Sequence, residues 1–470
     1  MVKVKGSRDF TSGPLFFPML FFTLPIIATS VLQILYNAAD KIVVGQFSGD
    51  AGAIGAIGST SSLTSLFVAL GIGLSIGAGV VIAQRFGARE ERELSRAIHT
   101  VFVVGLCAGV VVAFIGFFFA RPFLTLMNTK SDILDSATLY TKIIFLGTPA
   151  NILYNFGAAS LRSLGNSKTP LIILALAGLL NVGLNILFVV CFGMTVDGVA
   201  YATIASQYVS AVAVWMSLAV RKDAVRFRFS TLCVDRRALI DILRIGIPSG
   251  LQSSLFSVSN VLLQSAVNTF PTTTVSGNAV GGSMEDFTYV SMHSFYQTIL
   301  TVTGQNVGAK KPERVRRALF YALGQVIVAG LLVAYTCILF DDFILNLFVD
   351  KTLPEVPLII AAAKERNSVV LSLYFLCGIM DVLTGHLRGR GCSLPPMIFT
   401  LVFACGLRVL WALFIFPLKH ELWFLFVCYP ISWTLTSICH LISALWLAKK
   451  DKKKALAPRI GEKIPEKAQV

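Results

Sequence analysis

Leu161-Arg-Ser-Leu-Gly-Asn-Ser-Lys-Thr-Pro170 and Leu387-Arg-Gly-Arg-Gly-Cys-Ser-Leu-Pro-Pro396 are two copies of one pattern, L-R-x-x-G-x-S-x-x-P, set 226 positions apart. The match does not stand alone. Pro25 and Asn37 recur as Pro248 and Asn260, 223 positions on, and the same offset carries Ala56-Ile57-Gly58 to Ala279-Val280-Gly281. Gln84, Gly87, Ala88, Arg96 and Ala97 recur 221 positions on as Gln305, Gly308, Ala309, Arg317 and Ala318. Several matches in order, at nearly constant offset, mean an internal duplication.

Composition says what has been duplicated. Of 470 residues, 55 % are hydrophobic and 14 % charged, where soluble proteins carry about 25 % charge. Mean hydropathy is +0.75, which leaves too little polar surface for a dispersed globule. A spanning helix needs about 20 apolar residues, and apolar runs between charged or Pro/Gly breaks mark twelve. They cover 15–39, 53–83, 97–120, 136–161, 170–192, 196–220, 240–268, 275–307, 318–340, 366–387, 395–416 and 422–448. The fold class is therefore an all-α polytopic membrane protein of two pseudo-symmetric six-helix bundles. Six is even, so both bundles enter from the same side and the repeats are parallel. The division is an N-terminal lobe 1–220, a linker 221–239, a C-terminal lobe 240–448 and a basic tail 449–470.

Net charge is +15, from 40 Lys and Arg against 25 Asp and Glu. Most of the basic residues fall at the termini and in the even-to-odd loops, which predicts both termini on the cytoplasmic side. That placement removes the need for a nucleic-acid partner; the lipid bilayer is the implied one. The run Lys449-Lys-Asp-Lys-Lys-Lys454 reads as a solvated topology signal or an anionic-lipid contact. The second span, with Gly71, Gly73, Gly77 and Gly79, is too long for the membrane and should bend or pack closely. The nine cysteines lie mostly in spans and read as small core residues without disulfides or metal. No Walker A, H-E-x-x-H or nucleophile-elbow motif is placed to act, which speaks against an enzyme.

The stretch L-P-I-I-A-T-S-V-L-Q-I-L-Y-N-A-A-D-K-I-V-V-G (24–45) resembles the first helix of the MATE (multidrug and toxic compound extrusion) transporters. T-G-Q-N-V-G-A-K-K (303–311) and D-V-L-T-G-H-L-R-G-R-G (381–391) resemble signatures of that family's second half. The resemblance spans residues 15–450. It implies a two-lobed antiporter of the bacterial cytoplasmic membrane. Such a protein exports small organic, often cationic, amphiphilic compounds against H⁺ or Na⁺ from an alternately open cavity. The expected assembly is a monomer with no resident cofactor, the coupling ion H⁺ or Na⁺ being its inorganic partner. A flippase for lipid-linked precursors, or a non-transporting membrane receptor, are the rival readings.

Ionisable groups at membrane depth are costly and hence candidates for function. Asp40, near the outer end of helix one, is either a hydrated helix terminus or a carboxylate that binds H⁺ or Na⁺; the resemblance assigns it coupling. Asn181 and Asn185 share one face of helix five, and with Thr203 they resemble the polar companions of that acidic position. Asn185 stands where Asp is common in the family, so a two-carboxylate proton site does not carry over, though Na⁺ at Asp40 remains open. Interhelical hydrogen bonding is their alternative role. In the second lobe Asp381 matches an acidic family position. Glu285 and Asp286 lie near the midplane of helix eight.

Arg408 is the only basic residue read as lying deep in a span, about 20 Å from the cytoplasmic end of helix eleven. It needs a carboxylate, and depth favours Glu285 or Asp286 over Asp381 as its static or switchable partner. Helix seven offers Gln252 and Asn260 but no carboxylate, where some relatives have Glu; Glu285 could supply that charge. The expected cavity residues are Tyr36, Asn37, Asn155, Gln252, Asn260, Asp286, Tyr289 and Arg408. Tyr154, Phe287, Phe295 and Tyr296 are further aromatic candidates. His99, His293 and His386 read as packing or proton-relay groups.

Overall fold

A computed structural model describes residues 8–47, 51–127, 129, 133–223, 225–349 and 354–456. Within these, the side chains at 37, 39–47, 51–59, 61–63, 66, 196 and 454–456 lie outside the description. No strand occurs among the described residues. The helices are α1 (Phe16–Phe47), α2 (Ala51–Ala88), α3 (Glu91–Leu126), α4 (Leu134–Ser163), α5 (Lys168–Cys191) and α6 (Val196–Ala219). The second series is α7 (Arg236–Val267), α8 (Thr272–Gly308), α9 (Pro312–Leu339), α10 (Val356–Val370 with Phe375–Gly389), α11 (Leu394–Leu418) and α12 (Leu422–Lys453). The two parts of α10 meet at a 48° bend.

Eight of these helices are long and apolar enough to cross a membrane, and α10 makes nine if its bent halves count as one span. The others, α4, α7 and α8, are just as long but more polar. α4 packs against α2, α3 and α6 and α8 against α2, α9 and α10, while α7 packs chiefly on α2. A helix covered by other helices can carry polar groups that would be costly against lipid.

The repeated L-R-x-x-G-x-S-x-x-P pattern ends a helix in both lobes. In both copies its glycine takes a left-handed conformation, φ +83° at Gly165 and +82° at Gly391. The residue after it bonds back to the motif's leucine: Asn166 N–H to the Leu161 carbonyl at 2.9 Å, and Cys392 N–H to the Leu387 carbonyl at 3.0 Å. This is the glycine-terminated helix end, and it stops α4 and α10 identically. Duplication shows again at the ends of α2 and α8. There Arg89 and Lys310, 221 positions apart, are the described non-glycine residues with positive φ, at 61° and 56°.

Two large hydrophobic cores form among the described residues, but they do not divide strictly at the linker. Phe10, Leu15, Met19, Phe22 and Ile26, at the start of the chain, join the core built by α8, α9, α10 and α12. Ala238 and Ile242 at the start of α7 join the core of α2 to α6. Polar bonds hold the first exchange: Thr23 and Thr298 hydroxyls lie 2.8 Å apart, and Gln325 donates to the Phe16 carbonyl at 2.6 Å. In the second, the Asp235 side chain caps α7 at the Ala238 N–H, while its own N–H bonds Thr100.

Several details differ from the sequence reading. α10 begins ten residues before the expected 366. The charges Lys364 and Arg366, which look like a span boundary, are paired instead, Lys364 with Asp342 at 2.8 Å and Arg366 with Glu285. The basic run after Lys449 continues a helix, Cys428–Leu456, and its Asp451 pairs with Arg390. Of the nine cysteines only Cys377, Cys405 and Cys428 are buried, while Cys107 and Cys191 are exposed on their helices. The glycines of α2 serve close packing: a Cβ on Gly73 would lie 2.9 Å from the Ser249 carbonyl carbon of α7.

Candidate functional site

The two lobes meet in a reciprocal seam at the ends of α2 and α8. A Cβ on Gly87 would lie 2.6 Å from the Gln305 carbonyl carbon and closer still to its oxygen. A Cβ on Gly308 would lie 2.8 Å from the Gln84 carbonyl carbon, again closer to the oxygen. Each repeat's glycine thus receives the other repeat's glutamine. The glutamine side chains tie the same seam. Gln305, fully buried, donates to the Ser163 carbonyl at 2.9 Å and accepts from the Phe10 N–H at 2.9 Å. Gln84 donates to the Gly389 carbonyl at 2.9 Å. The molecule is closed at this end, which also carries both described termini.

Directly above the seam lies a small, partly open cavity between the lobes, of about 60 Å³. Its walls come from α2, α4 and α8, and its polar groups include Ser75, Asn155, Arg162, His293, Tyr296 and Thr301. Asn155 was expected here. Arg162, which belongs to the duplicated motif, was not, because it stands at a helix end beside the linker-side loop and read as a topology charge.

His293 joins the cavity to Asp381. Its Nδ1 lies 3.2 Å from the Asp381 carboxylate, and its ring stacks on Tyr296 at 4.8 Å and on Tyr289 at 5.4 Å. The Tyr296 hydroxyl accepts from Arg388 at 2.7 Å, and Arg388 also donates to the Gln252 side-chain oxygen at 2.7 Å. Asp381, His293, Tyr289, Tyr296, Arg388 and Gln252 form one continuous path through α7, α8 and α10.

A second polar cluster lies in the first lobe. Asn185 donates to the Asn181 side-chain oxygen at 3.2 Å, and Asn181 donates to the Thr203 hydroxyl at 3.5 Å. Tyr36 donates to the Thr203 carbonyl at 3.5 Å and to Ser206 at 3.3 Å. Both asparagines are fully buried. Four residues singled out from three separate helices therefore meet. Asn37 and Asp40 lie on α1, Asp40 one turn beyond Tyr36, but their side chains fall outside the described residues.

The expected partner of Arg408 is not found. Glu285 pairs with Arg366 and accepts from Tyr374 at 3.3 Å, while Arg366 also donates to Asn278 at 2.9 Å and Asn367 at 3.0 Å. Arg366 went unrecognised because the Lys-Glu-Arg run of α10 reads as a loop. Arg408, 1 % exposed, forms no ion pair among the described residues. Its guanidinium sits 4.0 Å from the Tyr429 ring centre, with Phe256 at 5.2 Å and Trp433 at 5.7 Å, and its Nε donates to Ser432 at 3.0 Å. Aromatic faces attract the cation in place of a carboxylate. Asn260 and Asp286 are exposed and do not line the cavity. Tyr154 and Phe295 are core residues. His99 ties α3 to the linker, accepting from the Arg228 N–H at 3.2 Å, and His386 is buried beside Thr303.

Comparison with known proteins agrees with this architecture. The MatE family model matches residues 25–187 and 248–414, that is, each repeat beginning at its own proline. The probable multidrug resistance protein YoeA of Bacillus subtilis is 26 % identical over 429 residues, covering 89 % of this chain and 91 % of that protein. The probable multidrug resistance protein NorM of Thermotoga maritima is 25 % identical, covering 82 % of each. Among solved structures, a MOP-superfamily transporter of Pyrococcus furiosus, described as having a binding pocket of reversed polarity, superposes with TM-score 0.87. It is 22 % identical and covers 95 % of this chain and 99 % of its own. An outward-facing multidrug resistance MATE transporter gives 0.85 at 22 % identity, covering 96 % and 99 %. With both repeats matched by the family model, and the fold shared along almost its whole length, this multi-pass membrane protein belongs to the MatE family of transporters.

Proposed function

We propose that the chain is a secondary exporter. It would move small organic compounds out across a bacterial cytoplasmic membrane, in exchange for inward H⁺ or Na⁺, by rocking its two lobes about the cavity. The seam between α2 and α8 carries this reading. Because it is made by one face of each repeat, two bundles can form or break it as units. The excess of Lys and Arg at the termini supports a cytoplasmic position for the closed end.

Coupling has two candidate centres. The buried cluster of Tyr36, Asn181, Asn185 and Thr203 gathers side-chain and backbone oxygens beside Asp40's helix, a donor set suited to Na⁺ or to a protonated carboxylate. In the second lobe, a proton taken up by Asp381 would cancel the charge that holds His293, and His293 is itself part of the cavity wall. Cargo site and ion site would then share one residue. Glu285, held by Arg366, is a structural group in this reading. With both repeats in one chain, the proposed transporter acts as a monomer, and the proposal invokes no resident cofactor. In proteoliposomes with imposed pH or Na⁺ gradients, dye export should collapse in Asp381→Asn or Asp40→Asn. Export independent of both gradients, or full export by both variants, refutes the proposal.

A further inference from the structure

The duplicated arginines have different surroundings, although the backbone around them is the same. Arg388 spends two guanidinium nitrogens on Tyr296 and Gln252. Arg162, its counterpart in the first lobe, lines the cavity and has no hydrogen bond or ion pair to any described residue through its side chain. The wall opposite adds Gln297 and Thr301 from α8, whose side chains likewise have no protein partner among the described residues. No carboxylate lines the cavity among the described residues, and Asp381 behind the wall is engaged by His293. The charge of Arg388, held on the Tyr296 hydroxyl, stands behind the same wall and has the sign of Arg162.

A guanidinium with no counter-ion, lining a partly open cavity, is placed to attract an anion, and its planar fork matches carboxylate or phosphate oxygens. Ile72, Ile76 and Leu300 supply an apolar surface beside it. We propose that this cavity takes the anionic group of an amphiphilic organic cargo, a carboxylate or phosphate, with Arg162 as its counter-ion and Gln297 and Thr301 as neutral donors. The proposal rests on the cavity being the cargo pathway. It replaces the cationic cargo that the family resemblance suggests.

Binding of carboxyfluorescein and of ethidium to the purified protein, in nanodiscs of phosphatidylcholine with or without phosphatidylglycerol, tests it. The wild type should bind the anion more tightly than the cation. Arg162→Gln should weaken carboxyfluorescein binding at least tenfold without weakening ethidium, and Arg162→Lys should retain part of the affinity. Asn155→Asp keeps Arg162 but adds a carboxylate to the same cavity, so it should weaken the anion comparably and guards against misfolding of the arginine variants. If an anionic lipid headgroup is the natural source of the anion, phosphatidylglycerol competes with the dye in wild type but not in Arg162→Gln. A soluble organic anion leaves the lipid without effect. Tighter ethidium binding by wild type, or less than twofold change in both Arg162→Gln and Asn155→Asp, overturns the proposal. Gradient-driven export restricted to cations would overturn this inference alone, whereas binding without export in any gradient would overturn the transport reading.

Discussion

Alanine at Gly87 should open the seam without dismantling either lobe. A methyl there would sit 2.6 Å from the Gln305 carbonyl carbon, whereas unstrained carbon contacts lie at about 3.5–4.0 Å. Because the carbonyl oxygen lies closer still, the α2 and α8 ends would have to part by more than about 1 Å. The obstruction is backbone, so no rotamer change relieves it, and overpacking of this kind costs about 1–3 kcal/mol. If the contact exists only in the state closed at this end, the whole cost falls on that state, and its weight against the open state drops by roughly 5- to 150-fold. Gly308→Ala should act alike, since its methyl would meet Gln84 in the mirror-related contact.

Spin labels at the exposed positions Glu91 and Glu313, on a background with the nine native cysteines replaced, report the separation of the lobes at this end. The wild type should give one short distance, and each alanine variant an added longer population with little loss of thermal stability. Unchanged distance distributions and unchanged thermal stability in both variants would refute the reasoning. A large loss of stability without a longer distance would place the contact inside the folded core of every state.

Two substitutions separate the buried cations of the second lobe. Glu285→Gln strands Arg366, which is 5 % exposed by side chain, so thermal unfolding should show a loss of about 3–5 kcal/mol, and a Glu285→Met, Arg366→Met double variant should recover most of it. Arg408→Met should leave stability within about 1 kcal/mol, because the lost cation–π attraction is offset by the desolvation cost no longer incurred. A loss above 3 kcal/mol there would indicate a carboxylate partner in another state.

Helix positions were legible because a hydrocarbon slab demands runs of about 20 apolar residues whatever the tertiary packing. The failures occur where charge enters a helix in pairs. Lys364, Glu365 and Arg366 look like the end of a span, yet the span continues because Asp341, Asp342 and Glu285 are placed to meet Lys364 and Arg366. No local pattern reveals partners some 20 to 80 positions away. For the same reason depth alone pointed Arg408 to Glu285 or Asp286 and overlooked an aromatic cage, which periodicity does not report. Asn181, Asn185 and Thr203 meet in one hydrogen-bonded cluster; helical spacing orients the first two, and the family pattern points to the third. Arg162 was visible as half of a repeat, but its lack of a partner is a property of the cavity and needed coordinates.

The exchange of α1 and α7 between the two cores also bears on how the protein is made. Phe10, Leu15, Met19, Phe22 and Ile26 find their neighbours on α8, α9, α10 and α12, segments that leave the ribosome some 250 or more positions later. Until then this apolar face must rest against lipid or an insertion factor, and the first lobe stays unfinished while the second is synthesised. Duplication of a six-helix unit thus produced halves that depend on each other to mature, and the order of membrane insertion differs from the order in which the helices find their final partners.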